Sequence, residues 1–209
     1  PATTQYATGI SFRTNLANGP ATFEMVEHLM AALAGLEIDN CRVEITAEEL
    51  PGLDGSSLAY VDALQEAGLV IQAATSQPLI IRESFRIEHS GGYVDVSPSN
   101  SNESTFEYSL DYGPDSTIRE QKFRCVQTPL TFARQVASAR TFVTAEQAKQ
   151  LRDSGVASHV THQDLLVIGD DGPVDNEYRF RNECARHKTL DLIGDLSLAG
   201  VGLIGQFSS

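Results

Sequence analysis

The chain has 209 residues, of which 41% are hydrophobic, and its 15 basic and 28 acidic side chains give a net charge of −13. This length suits one large domain or two small ones, and the apolar fraction is enough for a hydrophobic core. Because an acidic chain repels nucleic acid and anionic surfaces at long range, we expect no nucleic-acid partner. No run of about 18 apolar residues occurs, so we expect no integral membrane protein.

The three cysteines, Cys41, Cys125 and Cys184, are odd in number and lack the spacing of a metal finger. They argue against a disulfide scaffold and favour a reducing, cytoplasmic compartment. Cys41 lies in an apolar, strand-like run and is predicted to be a core thiol. Cys184 precedes His187 by three residues and could approach a site there, but its helical context favours packing in the core.

The first elements of the chain are predicted to be a helix and then a strand. Residues 22–36 have the composition of an amphipathic helix, with Gly35 near its end. The alternation of polar and apolar residues over 38–46 then predicts a half-buried strand.

A turn, a second helix and a linker follow. Residues 51–57 contain an Asp-Gly turn, and Ser56 or Ser57 can cap the next helix, which is predicted to stop at Gly68. Residues 72–78 are polar and end in proline, which is typical of a linker.

The second half is predicted to begin with an antiparallel sheet and to continue with two helices. Strand-like segments recur at 78–90, 93–99, 105–113 and 121–128. Thr144 is the expected cap of a helix that stops at Gly155, residues 160–173 predict a strand leading into a turn, and residues 182–200 predict a long helix. Both ends of the chain look cut, so we expect a piece of a longer protein.

Helices grouped on strands twice over predict an α+β fold. We expect two domains, over residues 1–75 and 76–209, each with a helix layer packed on a mainly antiparallel sheet.

The segment HKTLDLIGD carries a possible metal-binding pair. His187 and Asp191 are four residues apart on a predicted helix, so they share one face and could bind the same ion. Asp195 follows on the same stripe and could orient a ligand or a metal-bound water. Taken alone, the pair is more typical of a surface helix with ordinary polar residues.

Glu27 and His28 interrupt an otherwise apolar helix, where burial without partners would be costly. They could be a solvated glutamate and a histidine at the helix edge, or a zinc ligand beside a general base. With His187 and Asp191, His28 would complete three protein ligands and leave one zinc position open, as in catalytic sites. Zinc lowers the pKa of its water to about 7, so Glu27 could take the water's proton.

Such a reaction also needs a donor to the developing oxyanion. Thr141, in the segment SARTF, could supply it, although threonine there is also an ordinary strand or cap residue.

Four segments in this order, MVEHLMAALAGLEIDN, LPGLDGSS, SARTF and RHKTLDLIGD, resemble the UDP-3-O-acyl-N-acetylglucosamine deacetylases, which perform the committed step of lipid A synthesis. The resemblance runs from about residue 20 to residue 206. It implies two α+β domains with a zinc site at their interface, and hydrolysis of the 2-acetamido group of a UDP-linked acylated amino sugar. We expect a monomer.

The resemblance also implies a role for each residue that matches a motif. The implied zinc ligands are His28, His187 and Asp191, and the implied general base is Glu27. Asp195 matches the acidic partner that tunes the site, and Thr141 matches the donor to the zinc-bound water or oxyanion. Phe142 and Lys188 match two residues that contact the substrate.

Two departures from the family pattern stand out. The family's second catalytic histidine follows a glycine beyond the HKxLD helix, whereas none of the five histidines here follows a glycine. This departure keeps open an alternative, a non-catalytic homologue or fragment that binds zinc or the nucleotide sugar. The region after SARTF also lacks the usual paired glycines, which puts the acyl-chain passage in doubt.

Overall fold

The computed structural model describes residues 1–9, 13–89, 91–153, 161 and 164–209, and it has an α+β fold. The helices within these residues are α1 (Glu27–Gly35), α2 (Leu58–Ala67), α3 (Pro129–Gln135), α4 (Ala145–Asp153) and α5 (Glu183–Ser197). The strands are β1 (Ala7–Thr8), β2 (Asn15–Asn18), β3 (Ala21–Phe23), β4 (Leu79–Ile80), β5 (Phe85–His89), β6 (Gly92–Ser97), β7 (Thr105–Leu110), β8 (Gln121–Val126), β9 (Phe142–Thr144), β10 (Leu166–Gly169), β11 (Gly172–Pro173), β12 (Leu203–Ile204) and β13 (Gln206–Ser208). None of these helices is long and apolar enough to cross a membrane.

The largest sheet has five strands in the order β5-β6-β13-β7-β8. It is antiparallel except between β13 and β7, so the last strand of the chain lies in the middle of the sheet. Phe207 of β13 stacks on Phe106 of β7 with ring centroids 5.2 Å apart. The four segments predicted to form one sheet contribute its strands β5, β6, β7 and β8. The fifth strand, β13, was not predicted from periodicity.

Helix α5 packs against this sheet on one side and against α1 on the other. The two helices approach closely because Gly194 faces α1: a Cβ there would collide with the Glu27 carbonyl and lie 3.1 Å from the Ala31 nitrogen. The surrounding core includes Leu190 and Phe132, both fully buried. This contact brings the first turns of α1 opposite the middle of α5.

Helix α1 begins later than predicted. Residues 22 and 23 pair with β2 as part of β3, and Met25 has a φ of 58°, a left-handed conformation that a helix does not continue through. The helix therefore starts at Glu27 rather than at residue 22.

The prediction of a strand over 38–46, with Cys41 in the core, is wrong. These residues are irregular, Cys41 is exposed, and Val43 is 46% exposed. An extended segment needs a neighbour for its backbone hydrogen bonds, and no segment in the described part of the chain pairs with it. Ile38 packs against the larger core and Ile45 against a small apolar cluster, while the side chains between them are exposed.

Most other boundaries agree with the sequence. Helix α2 ends at Ala67 with Gly68 as the expected stop directly after it, and the Thr144 hydroxyl caps α4 by accepting from the Gln147 N–H at 3.2 Å. The expected stop at Gly155 lies outside the described residues, as does most of the segment related to the acyl-chain passage. The Cys184 thiol is buried as predicted.

The proposed division after residue 75 stays a prediction. The larger core cluster contains residues from both sides of it, including Ala32 and Val61 on one side and Phe106 and Leu190 on the other.

Candidate metal centre

The contact between α1 and α5 brings together two imidazoles and one carboxylate. The Nε2 atoms of His28 and His187 lie 3.8 Å and 3.3 Å from Oδ1 of Asp191. One donor atom from each residue lies within 4.8 Å of the others, which is close enough for all three to bind one ion. His28 is 4% exposed and His187 1%, so protein atoms surround both rings.

Both histidines are neutral at pH 7. Burial lowers the pKa of His187 to about 4, and it lowers the pKa of His28 as well. The Nδ1 atom of His187 lies 3.1 Å from the Ala139 carbonyl oxygen, which can only accept, so Nδ1 carries the proton. The lone pair of His187 Nε2 therefore points at Asp191.

Asp191 is held as a carboxylate. Burial alone would favour its neutral acid, but the positive charges that His187, when protonated, and Lys188 place beside it lower its pKa overall, and the Lys188 ammonium group is the one that persists at pH 7. Lys188 Nζ donates to Oδ2 at 3.0 Å, whereas Oδ1 is buried and has no hydrogen-bond partner among the described residues.

The three atoms fit a metal cation. The lone pair of His187 Nε2 and a buried carboxylate oxygen without a hydrogen-bond partner converge with His28 Nε2, and a cation at this point would satisfy all three atoms. Two histidines and one carboxylate are a ligand set of catalytic zinc sites. The bond from His187 Nδ1 to Ala139 fixes that ring, as is usual for a metal ligand. His28 Nδ1 has no such partner in the described part of the chain.

Glu27 is the first residue of α1, where it is buried directly before His28 and lies near the Asp191 carboxylate. Burial raises the pKa of its carboxyl group to about 7, and the backbone N–H groups of Glu27 and Thr14 oppose this shift only in part. Thr14 N donates to Oε2 at 3.0 Å and fixes the carboxylate. A group that is half ionised near neutral pH is suited to take and return a proton.

Asp195 lies one turn after Asp191, and burial raises the pKa of its carboxyl group. The Thr14 hydroxyl donates to Asp195 Oδ1 at 2.6 Å, so one threonine holds both Glu27 and Asp195. Sequence reasoning missed Thr14. It has no spacing signal, because 181 positions separate it from Asp195.

Phe142 and Lys188 lie side by side next to His187 and Asp191. The Phe142 ring centroid lies 6.3 Å from that of His187, and Lys188 Nζ lies 5.8 Å from the Phe142 centroid. Attraction by Asp191 raises the pKa of Lys188, so its ammonium group stays charged.

Thr141 directly precedes Phe142 in the chain. Its N–H donates to the Gly55 carbonyl at 2.7 Å, and its own carbonyl accepts from Leu166 at 2.9 Å. Gly55 has a φ of 78°, and a Cβ there would come within 2.9 Å of Thr141 Cγ2. Within the described residues, no hydrogen bond joins the Thr141 hydroxyl to the ligand atoms, so its role stays a prediction.

Comparison with known proteins gives the family of this chain. The family described as LpxC, UDP-3-O-acyl N-acetylglycosamine deacetylase, matches residues 1–209. A curated protein from Trichormus variabilis named UDP-3-O-acyl-N-acetylglucosamine deacetylase is 40% identical over 192 residues, which are 90% of this chain and 68% of the relative. A protein of the same name from Brucella ovis is 38% identical over 198 residues, which are 94% of this chain and 68% of the relative. The chain therefore belongs to the UDP-3-O-acyl N-acetylglycosamine deacetylase family.

Proposed function

We propose that this chain is a zinc-dependent deacetylase that removes acetate from the 2-acetamido group of UDP-3-O-acyl-N-acetylglucosamine in lipid A biosynthesis. The observation that carries the proposal is the convergence of His28, His187 and Asp191, with an unpaired Asp191 oxygen at its centre. The family membership and the names of the relatives support this substrate.

The three ligands would hold Zn²⁺ with one position open. An ion in such a site supplies Lewis acidity and lowers the pKa of water to about 7. Lys188, through its bond to Asp191 Oδ2, keeps the other oxygen of that carboxylate turned toward the histidines.

Glu27 is the proposed general base. Its carboxylate takes a proton from the attacking water as that water adds to the acetamide carbonyl carbon. The C–N bond then breaks, acetate forms, and the sugar amine gains a proton. Thr14 keeps the Glu27 carboxylate in place through the backbone bond to Oε2, and it also bonds Asp195, which we propose tunes the charge of the site.

The remaining residues are proposed to bind substrate. Lys188 uses one of its three donors on Asp191, and the others can contact the anionic nucleotide sugar. Phe142 offers an apolar face beside His187, and Thr141 is the proposed donor to the carbonyl oxygen as it becomes negative.

A second candidate is a homologue or fragment that binds zinc or the nucleotide sugar without turnover. The family resemblance relates protonation of the leaving amine to a histidine that follows a glycine, and a protein that works without such a general acid is typically slower by about 10²–10⁴-fold. An acetate-release assay distinguishes the two candidates.

Metal analysis combined with an acetate-release assay tests the proposal. We expect about one zinc per chain, zinc loss in His187→Ala, and acetate release from UDP-3-O-acyl-N-acetylglucosamine. His89→Ala is the control, since His89 is exposed on β5 and should not affect zinc content. A chain that binds no zinc and gains no activity when zinc is added would overturn the proposal. A chain that binds zinc and substrate but releases no acetate would support the second candidate.

We also propose a monomeric, cytoplasmic protein. The absence of disulfides among its three cysteines is compatible with a reducing compartment. Light scattering on the eluting protein would test the monomer, with a mass near 22.6 kDa expected.

A further inference from the structure

A buried ion pair lies next to the metal ligands. Arg140 is 4% exposed and Glu183 is fully buried. The Arg140 side chain donates from Nε to Glu183 Oε1 at 2.9 Å and from Nη2 to Oε2 at 3.3 Å, and its backbone N–H donates to the same Oε1 at 3.1 Å.

Both members of this pair also bond to neighbouring parts of the chain. The Arg140 guanidinium donates to Asn176 Oδ1 at 2.9 Å and to the Glu177 carbonyl at 2.6 Å. Glu183 Oε2 accepts from the Arg179 N–H at 2.6 Å. Burying two charges is expensive, and well-packed apolar residues often replace such pairs without loss of stability. A contribution to stability therefore does not by itself explain why a buried ion pair occupies this position.

The pair has a direct connection to the proposed metal site. Arg140 directly follows Ala139, whose carbonyl accepts the bond from His187 Nδ1. Glu183 lies one turn before His187 on the same face of α5. The chain at 139–140 is thus bonded to α5 at two successive turns, once through the ion pair and once through the imidazole.

We propose that Arg140 and Glu183 are positioning residues that hold the Ala139 carbonyl at the place where it orients the His187 ring toward the metal. This inference rests on the proposed function, because it takes His187 as a ligand. The ion pair sets the position of the chain at residue 140, and the carbonyl of the preceding residue is carried with it. Without the pair, His187 would keep its place on α5 but lose the fixed acceptor that selects its tautomer and ring angle.

Zinc affinity of the full chain, measured by competition with a chelator, tests this inference. Glu183→Gln keeps the volume of the side chain but removes its charge, and we expect zinc binding to weaken about 10- to 100-fold, the usual cost of losing a partner of a metal ligand. Nitrogen NMR of the metal-free protein should also show a lower population of the Nδ1–H tautomer of His187.

Val96→Ala is the matched control for general destabilisation, because Val96 is buried in the large sheet on β6. Affinities are compared at a temperature where circular dichroism shows both variants folded. An affinity of Glu183→Gln within twofold of the native chain, or an equal loss in Val96→Ala, would overturn the inference.

Should Glu183→Gln not fold, Arg140→Lys replaces it, because lysine keeps the charge but loses the fork of donors. A zinc affinity of Arg140→Lys within twofold of the native chain, or an equal loss in Val96→Ala, would then overturn the inference. A native chain that binds no zinc would overturn the proposed function and this inference together. Native binding with an unaffected positioning variant would overturn the inference alone.

Discussion

Two regions of the molecule have a periodic pattern of polar and apolar residues: the helix pair α1 and α5, and the segment 38–46. Only the helix pair forms regular secondary structure and encloses a buried site. The helices satisfy their own backbone groups and need only a complementary face, which Gly194 provides. Residues 38–46 would need a neighbouring strand, and among the described residues none pairs with them. A periodic pattern therefore predicts which face a segment can bury, and the presence of a partner decides whether it does.

The largest effect expected within the helix contact is on catalysis. Glu27→Gln removes the proposed base while keeping its shape, so acetate release per bound zinc should fall about 10²–10⁴-fold. Zinc content should stay at one per chain, because Glu27 is not a proposed ligand. Glu24→Gln, just outside the helix, is the control and should retain activity. An unchanged rate in Glu27→Gln would remove Glu27 from the mechanism.

Adding a single methyl group should disrupt the helix contact itself. In Gly194→Ala the new Cβ meets the Glu27 carbonyl, which is backbone and cannot turn aside, so we expect a loss of about 1–3 kcal/mol in the free energy of unfolding. Urea unfolding measures it. Gly202→Ala is the matched control, since its Cβ would meet only Pro78 at an ordinary 3.7 Å. Equal stability of the two variants would mean that α1 and α5 are not in close contact.

The burial of His187 should make the metal-free protein sensitive to acid. Its pKa is about 4 in the fold and about 6.5 when unfolded, so between these values the unfolded chain binds more protons. The contribution of neutral His187 to the free energy of unfolding is fully present above pH 6.5. It is lost as the pH falls toward 4, by about 1 kcal/mol per pH unit. Urea unfolding of chelator-treated protein at pH 7 and pH 5 measures it.

Glu27, whose pKa burial raises to about 7, acts in the opposite direction over this range, so the effect of His187 is obtained from the difference between variants. His187→Gln should lose less stability between pH 7 and pH 5 than the native chain, whereas His89→Gln, which changes an exposed residue, should follow the native curve. If both variants followed the native curve, the burial of His187 would not explain the acid sensitivity.

The smallest effects are expected in the segment 38–46. Val43→Ser should change stability by no more than about 0.5 kcal/mol, because Val43 is largely in water.

Thiol reactivity gives an independent comparison of the segment with the buried core. Burial raises the pKa of Cys125 to about 11 and that of Cys184 to about 12, so both thiols stay protonated at pH 8. In the folded protein, iodoacetamide should therefore label exposed Cys41 first. Mass spectrometry of the digest would reveal the order, and early labelling of Cys184 would contradict the packing of α5.

Local signals were sufficient for several elements. Helix α2, the cap of α4 at Thr144 and the long helix α5 followed from periodicity and cap residues. Helix α3 was missed, although Thr128 caps it by accepting from the Thr131 N–H and Pro129 begins it, both recognisable signals. Strand β13 was beyond prediction from local pattern, because its neighbours lie about a hundred residues earlier.

The same distinction applies to the site. His187 and Asp191 share a helix face, which spacing alone predicts, while His28 was added as the third ligand of an open zinc site, a role that the family resemblance also implies. Thr14, Arg140 and Glu183 reach the site through contacts between distant parts of the chain, and nothing in their local sequence indicates those contacts.

The most direct test of the proposed metal centre is X-ray absorption at the zinc edge of the zinc-loaded chain. Ligation by His28, His187 and Asp191 predicts only nitrogen and oxygen neighbours, at about 2.0–2.2 Å, with the outer-shell scattering of two imidazoles. Sulfur neighbours at about 2.3 Å, or the absence of imidazole scattering, would place the zinc elsewhere and contradict the account.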